Sequence, residues 1–182
     1  MENIKTKRFG TIVAGDDHFI QIKDGMIGMS PLKKYILVES PAYPVMFWLQ
    51  SCDDQVIAFP VVEPYFFRSN YNVRMTEADK LALQYEDGDR IKYFCVLTIP
   101  ENAEDMTVNL KAPVAINLDK GTASQLVLQD KELQVRHPAY RTYANVLAAI
   151  DEQGGSDSYV EEVWSPISIQ DGGQTVAHQA AV

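Results

Sequence analysis

Apolar and polar residues alternate most regularly between Val108 and Asp119. Val108, Leu110, Ala112, Val114, Ile116 and Leu118 take one parity, and Asn109, Lys111, Pro113, Asn117 and Asp119 take the other. A period of two predicts a strand with one dry face and one wet face. Pro113 has no N–H to give a ladder, so this strand is expected at a sheet edge or with a bulge. At an edge, Asn109, Lys111 and Asn117 offer a partner polar side chains and unpaired backbone, while Pro113 keeps the edge from recruiting copies of itself. At a bulge, Pro113 helps to close a barrel and Asn117 holds the turn.

The first two-thirds of the chain repeat this theme in shorter runs. "TKRFGTIV" leads into Gly15-Asp16-Asp17, "HFIQI" runs into "KDGMIG", and "YILVES" stops at Pro41. These are β segments punctuated by Gly, Pro and Asp. "MFWLQS", "VIAFPVV" and "RIKYFCVLTI" are apolar on both parities, which predicts strands covered on both sides, inside a barrel or beneath a cap. "DKGT", Asp119 to Thr122, is a hairpin turn into "SQLVLQD". The predicted fold is mainly β: a small closed or partly open antiparallel β-barrel-like domain with one or two short helices.

Two segments break the period. In "TEADKLALQYEDGD", Ala78, Leu81, Ala82 and Tyr85 recur at helical spacing. Thr76 is placed to cap the amino end, with Asp79 three residues on as a capping-box partner, and Asp87-Gly88-Asp89 as the stop. Further on, "YRTYANVLAAIDEQ" puts Tyr140, Tyr143, Val146, Leu147 and Ile150 on one stripe. This predicts a terminal helix docked on the barrel. A lysine-poor polar face argues against a helix lying on a membrane. The expected organisation is a β-barrel domain over residues 1–139, a helix over 140–153, and a linker and largely flexible end over 154–182, in which "YVEEVWSPISI" can pair or dock locally.

Composition narrows the function. The chain has 182 residues, of which 46% are hydrophobic and 23% charged, as in an ordinary globular domain. Its formal charge is −9, from 25 acidic against 16 basic residues. Direct nucleic-acid binding is disfavoured without clustered Lys and Arg, and a basic protein partner is the better match. Cys52 and Cys95 lack CxxC spacing and sit in apolar stretches, as reduced core thiols do. No apolar run approaches a membrane span, so a cytoplasmic protein is the expectation.

Catalytic or metal chemistry is not evident. His18, His137 and His178 are far apart and none has metal-site spacing. Gly154-Gly155 follows a helix, the wrong context for a phosphate loop. Ser51 in "SCDDQ" sits in a turn where Ser and Asp bond their own backbone. Asp53-Asp54, Asp16-Asp17 and Asp87/Asp89 supply too few ligands for a hard cation. No catalytic residue, cofactor or metal is assigned. What remains is surface: "EPYFFRSNY" places Glu63, Tyr65, Phe66, Phe67 and Tyr71 around a proline after a buried strand. Its rings either fold back to close the barrel end or form an aromatic platform of the kind found at protein interfaces, and both can hold. A small-ligand-binding β-barrel is the alternative. It needs a roomy interior instead of one filled by Trp48, Phe59 and Phe94.

"DGMIGM", "FWLQSCDDQVIAFPVVEPYFF", "TEADKLAL", "YFCVLTIP" and above all "VNLKAPVAIN" followed by "QLVLQD", in that order, resemble the flagellar assembly factor FliW family. The resemblance spans about Arg8 to Tyr140, with "NLKAPVAIN" as its most specific block. Two departures stand out. Gly25-Met26-Ile27-Gly28 lacks the proline of the family's Gly-Pro-Gly-like turn, and Arg68-Ser69-Asn70-Tyr71 keeps only the tyrosine of a Pro-Asp-Tyr continuation. The resemblance implies a non-enzymatic β barrel-like protein of the cytoplasm. By that resemblance it binds flagellin and, when free, the RNA-binding translational repressor CsrA, with no direct nucleic-acid or membrane contact.

Overall fold

The computed structural model describes residues 1–40, 42–152 and 166–168. The chain opens with a hairpin of β1 (Glu2–Thr6) and β2 (Gly10–Ala14), turned at Gly10, whose φ of 71° suits glycine. "TKRFGTIV" is therefore a turn and one strand, preceded by β1 in the polar "ENIKT". β3 (Phe19–Ile22), β4 (Lys34–Glu39), β5 (Met46–Ser51) and β6 (Ala58–Val62) follow as an antiparallel meander. A short helix α1 (Glu77–Ala82) precedes β7 (Ile91–Thr98), which pairs with β6. β8 (Thr107–Val108), β9 (Val114–Asn117) and β10 (Thr122–Gln125) come next, then β11 (His137–Pro138) and the helix α2 (Tyr140–Glu152).

Closure comes from the β9–β10 hairpin. β9 pairs antiparallel with β7 and β10 pairs parallel with β3, which joins the ends of the meander into a barrel of seven strands. Closure removes the edges along which sheets aggregate. Inside lie Ile20, Ile22, Tyr35, Leu37, Leu49, Val61, Phe94, Val114 and Ile116, with Met26 reaching in from the loop after β3. Met26 and Ile27 replace the expected proline, and Gly25 makes their turn possible. Its φ is +71°, and a Cβ there would sit 2.7 Å from the Ser30 Cα. Phe59 and Phe94 do fill the interior, but Trp48 faces outward. Arg8 stacks 3.8 Å from the Trp48 ring centroid and Phe9 meets it edge-on at 6.3 Å.

Two further apolar clusters coat the outside. Ile4, Ile12, Ala14, Ile36, Val38 and Ile167 pack beneath the β1–β2 hairpin. Met46, Val62, Tyr71, Leu83, Cys95, Leu97, Val108, Ala115, Leu126, Leu133 and Tyr143 form the other, beneath the crossing loops and α2. Outer coating explains why strands such as β5 and β7 read as apolar on both parities. Pro60 is accommodated because β6 pairs with β7 only at Val61 and Val62, beyond it.

The run from Val108 to Asn117 is not one strand. It divides into β8 and β9, with Asn109 to Pro113 turning between them. The Asn109 Oδ1 accepts hydrogen bonds from the N–H groups of Lys111 (3.2 Å) and Ala112 (3.0 Å), a local side-chain turn that competes with the ladder. No free edge results. β8 lies between β7 and β11, and β9 between β7 and β10. Leu126 N–H donates to the Pro113 carbonyl (2.8 Å) and Leu128 N–H to the Lys111 carbonyl (2.9 Å), covering the turn as well.

α1 has the expected amino-terminal cap, with Thr76 and Asp79 bonding each other's backbone. Its carboxyl end comes sooner than the sequence pattern indicates. Gln84 takes φ 50°, its N–H donates to the Leu81 carbonyl (3.2 Å), and Tyr85 N–H donates to the Lys80 carbonyl (2.9 Å). These are the two bonds of a Schellman ending, here with Gln at the left-handed position. The early stop turns Leu83 into the core, fully buried, and leaves Leu81 79% exposed, contrary to the expected stripe. α2 docks as expected through Tyr143 and Ile150, and the Tyr143 hydroxyl donates to the Pro44 carbonyl (3.0 Å). The linker expected from Gly154 and the flexible end from Gly172 lie outside the described residues, whereas Pro166-Ile167-Ser168 docks against β4.

Candidate protein-binding surface

The loop after β6 begins with Pro64, whose fixed φ suits the first position of the short 3-10 turn Pro64–Phe66. Phe67 and Arg68 N–H groups both donate to the Pro64 carbonyl at 3.0 Å, and Tyr71 N–H donates to the Arg68 carbonyl at 2.9 Å. This compact backbone sorts the rings. Tyr71 is buried, Phe66 and Phe67 are half-buried on the outer cluster, and Tyr65 is exposed. Tyr65 stands edge-to-face on Tyr71, with centroids 6.3 Å apart, and Phe67 meets the His137 ring edge-on at 6.5 Å. So three of the four rings fold back and one presents itself to solvent.

The Tyr71 hydroxyl donates to the Leu110 carbonyl at 2.6 Å, and so ties the aromatic loop to the Asn109–Pro113 turn that carries Lys111. Burial pushes the Tyr71 hydroxyl pKa far above its ordinary value, so it stays protonated and donating. The Glu63 carboxylate lies 3.2 Å from the Lys92 ammonium. Lys111, half-exposed, forms no ion pair among the described residues. Arg68, in place of the family's proline, bonds Glu132 (2.7 Å) and the Asn70 side chain (3.2 Å). The departure from Pro-Asp-Tyr thus leaves Tyr71 in its place.

Asn117 does not belong to this surface. It was expected on a wet face, but it is fully buried. Its Nδ2 donates to the Leu83 carbonyl (3.1 Å) and Asp89 (2.7 Å), and its Oδ1 accepts from the Asp119 and Lys120 N–H groups (3.1 and 3.3 Å). It holds the β9–β10 turn and the end of α1 together. Asn109 likewise spends its side-chain oxygen on its own turn. Of the residues read from sequence, the structure brings together Tyr65, Phe66, Phe67, Tyr71 and the Lys111 turn. The pairing of Arg68 with Glu132 and of His137 with Phe67 carries no local signal, because those partners are remote along the chain.

Ser51 is fully buried and its Oγ accepts from the Asp53 and Asp54 N–H groups, both at 3.1 Å. Asp53 accepts from the Lys33 and Lys34 N–H groups at 2.6 and 2.9 Å. Burial raises both the Cys52 and Cys95 thiols to about 12, which leaves them protonated at neutral pH. Among the described residues, no His, Cys, Asp and Glu side chains group as a metal site requires, and no helix is long and apolar enough to cross a membrane.

Comparison with known proteins follows the same lines. The family model "FliW protein" matches residues 3–139. The chain is 38% identical over 155 residues to "Flagellar assembly factor FliW" of Bdellovibrio bacteriovorus, covering 82% of this chain and 89% of that one. It is 34% identical over 143 residues to the protein of the same name from Thermoanaerobacter pseudethanolicus, covering 78% and 95%. A solved structure, "Crystal structure of the flagellar assembly factor FliW", superposes with a TM-score of 0.69 at 23% identity, over 75% of this chain and 96% of that one. That likeness speaks to the fold.

Proposed function

The chain belongs to the FliW family of flagellar assembly factors, and from that premise we propose that it is a non-catalytic partner switch acting in the cytoplasm. It binds flagellin, and when flagellin has been exported it binds CsrA and relieves repression of flagellin translation. The observation that carries this reading is the acidic balance of the chain, a formal charge of −9 overall, with 19 acidic against 15 basic residues in the closed barrel over residues 1–139. A protein that holds RNA presents positive surface, to which this exterior is attracted, with association rate gaining more than affinity. Docked beside the RNA site, its carboxylates repel incoming phosphates. Coupling of about 1–3 kcal/mol, usual for linked sites, weakens RNA binding about five- to 150-fold without overlap of the two surfaces.

For flagellin the chemistry differs. An amphipathic helical segment seeks an apolar host, and the exposed Tyr65 ring, braced by Tyr71 beside the Lys111 turn, is the proposed anchor. Glu63, Phe66 and Phe67 support it from behind, and Asn109 shapes the adjoining turn. Isothermal titration of the purified chain with CsrA and with flagellin, at low and high salt, tests the reading. Binding to both is expected, with CsrA binding weakening as salt rises. Failure to bind either protein, or a copurified small molecule in place of both, contradicts it.

A further inference from the structure

The upper edge of β4 is a strand-docking slot. β3 stops at Phe19, which pairs with Ile36, so among the described residues no strand lies beside this edge of β4 beyond Ile36. Ile167 takes that place. Its N–H donates to the Leu37 carbonyl (3.0 Å), its carbonyl accepts from the Glu39 N–H (3.0 Å), and the pairing with Val38 is parallel. Its side chain is fully buried among Ile4, Ile12, Ala14, Ile36 and Val38, and the Ser168 hydroxyl donates to the Glu39 carboxylate.

We propose that this slot receives an extended segment of a partner protein, a branched aliphatic residue followed by a small hydroxyl residue, and that Pro166-Ile167-Ser168 is its resident occupant in cis. The chemistry of the slot dictates the ligand. Two backbone groups of β4 demand an extended main chain, the cavity beneath the β1–β2 hairpin demands a branched apolar side chain, and Glu39 demands a donor one residue on. Among the described residues the attachment is a single bridge, against three paired residues in the β3–β4 ladder and five in β4–β5. A segment seated through such a bridge exchanges with a competitor of the same chemistry, and the resident sets the threshold that a competitor must exceed. A disfavoured feature of many surfaces, an open strand edge, is thereby kept covered until a matching segment arrives.

The test uses the full chain and a fluorescein-labelled peptide Trp-Ser-Pro-Ile-Ser-Ile, followed by anisotropy. Ile167→Asp expels the resident by placing a charge in the apolar slot, and the peptide is expected to bind that variant at least tenfold more tightly than the unmodified chain. The same peptide carrying Asp for Ile is expected to bind neither. Equal affinity for both chains, or no binding to an Ile167→Asp chain that keeps its cooperative thermal transition, overturns the proposal. If Ile167→Asp fails to fold, Ile167→Ala is expected to show a smaller gain in the same direction, and no gain overturns it. A concentration-dependent dimer that Ile167→Asp abolishes also overturns it, because the resident then comes from a second copy.

Discussion

Replacing Tyr71 by Phe removes one oxygen and tests the joint on which the candidate surface rests. That hydroxyl is the donor to the Leu110 carbonyl at 2.6 Å, within a buried contact between the aromatic loop and the Lys111 turn. The ring keeps its packing against Tyr65, so no cavity opens. What changes is that a buried carbonyl loses its partner, which costs about 1–3 kcal/mol. For a chain in this size range, about 2 kcal/mol lowers Tm by roughly 4–8 °C. Urea and thermal unfolding of the two proteins measure the difference, and the same samples titrated with flagellin and CsrA report whether a loosened loop weakens binding. A Tm unchanged within about 1 °C, or a loss of stability with both affinities intact, refutes the idea that this hydrogen bond positions the surface.

Other outcomes follow from single residues. Gln84→Gly is expected to raise stability by about 1 kcal/mol, because a β-carbon in the left-handed region costs about 1–2 kcal/mol and glycine avoids it; chemical denaturation reads this directly. Lys111→Glu is expected to weaken flagellin or CsrA binding without altering Tm, since its ammonium forms no ion pair among the described residues, and unchanged affinities leave the Lys111 turn a purely structural role. Acid stability has a definite sign. Asp119 is held below its ordinary value by the Arg90 side chain and backbone N–H, and Asp89 by the Glu86 N–H and Asn117. Their stabilisation is present above the ordinary Asp pKa of about 3.9 and is lost as pH falls through the lower folded values. Asp119→Asn should therefore show a shallower fall in Tm between about pH 4 and pH 2, and an identical acid limb in both proteins contradicts the assignment.

Much of the barrel was legible because strand period and turn chemistry act locally. Thr76 and Asp79 form the capping box that their spacing announces, and the run Ile91–Thr98 is the doubly covered strand its apolar parities indicate. The misreadings have a common cause, which is competition from groups remote in sequence or from side chains bonding their own backbone. Alternation from Val108 to Leu118 suits one strand, yet the Asn109 side chain satisfies two N–H groups locally and divides it. Asn117 looks wet until the Leu83 carbonyl and Asp89, brought by the end of α1, reach its amide. Leu81 and Leu83 differ only in which side of an early helix stop they fall, and that stop rests on a Gln in a conformation that glycine usually takes. Trp48 turns outward because Arg8 and Phe9 of the β1–β2 turn cover it, and "ENIKT" carries no strand signal of its own. The aromatic loop was visible as a candidate, but which ring faces solvent depended on the Pro64 turn.

In the proposed function one molecule exchanges two protein partners. Flagellin titrated into a preformed complex of this chain with fluorescently labelled CsrA measures that exchange directly. Release of CsrA at stoichiometric flagellin, with recovery of its RNA binding, is the predicted result. A complex that holds CsrA unchanged while flagellin also binds, or one that never forms, contradicts it.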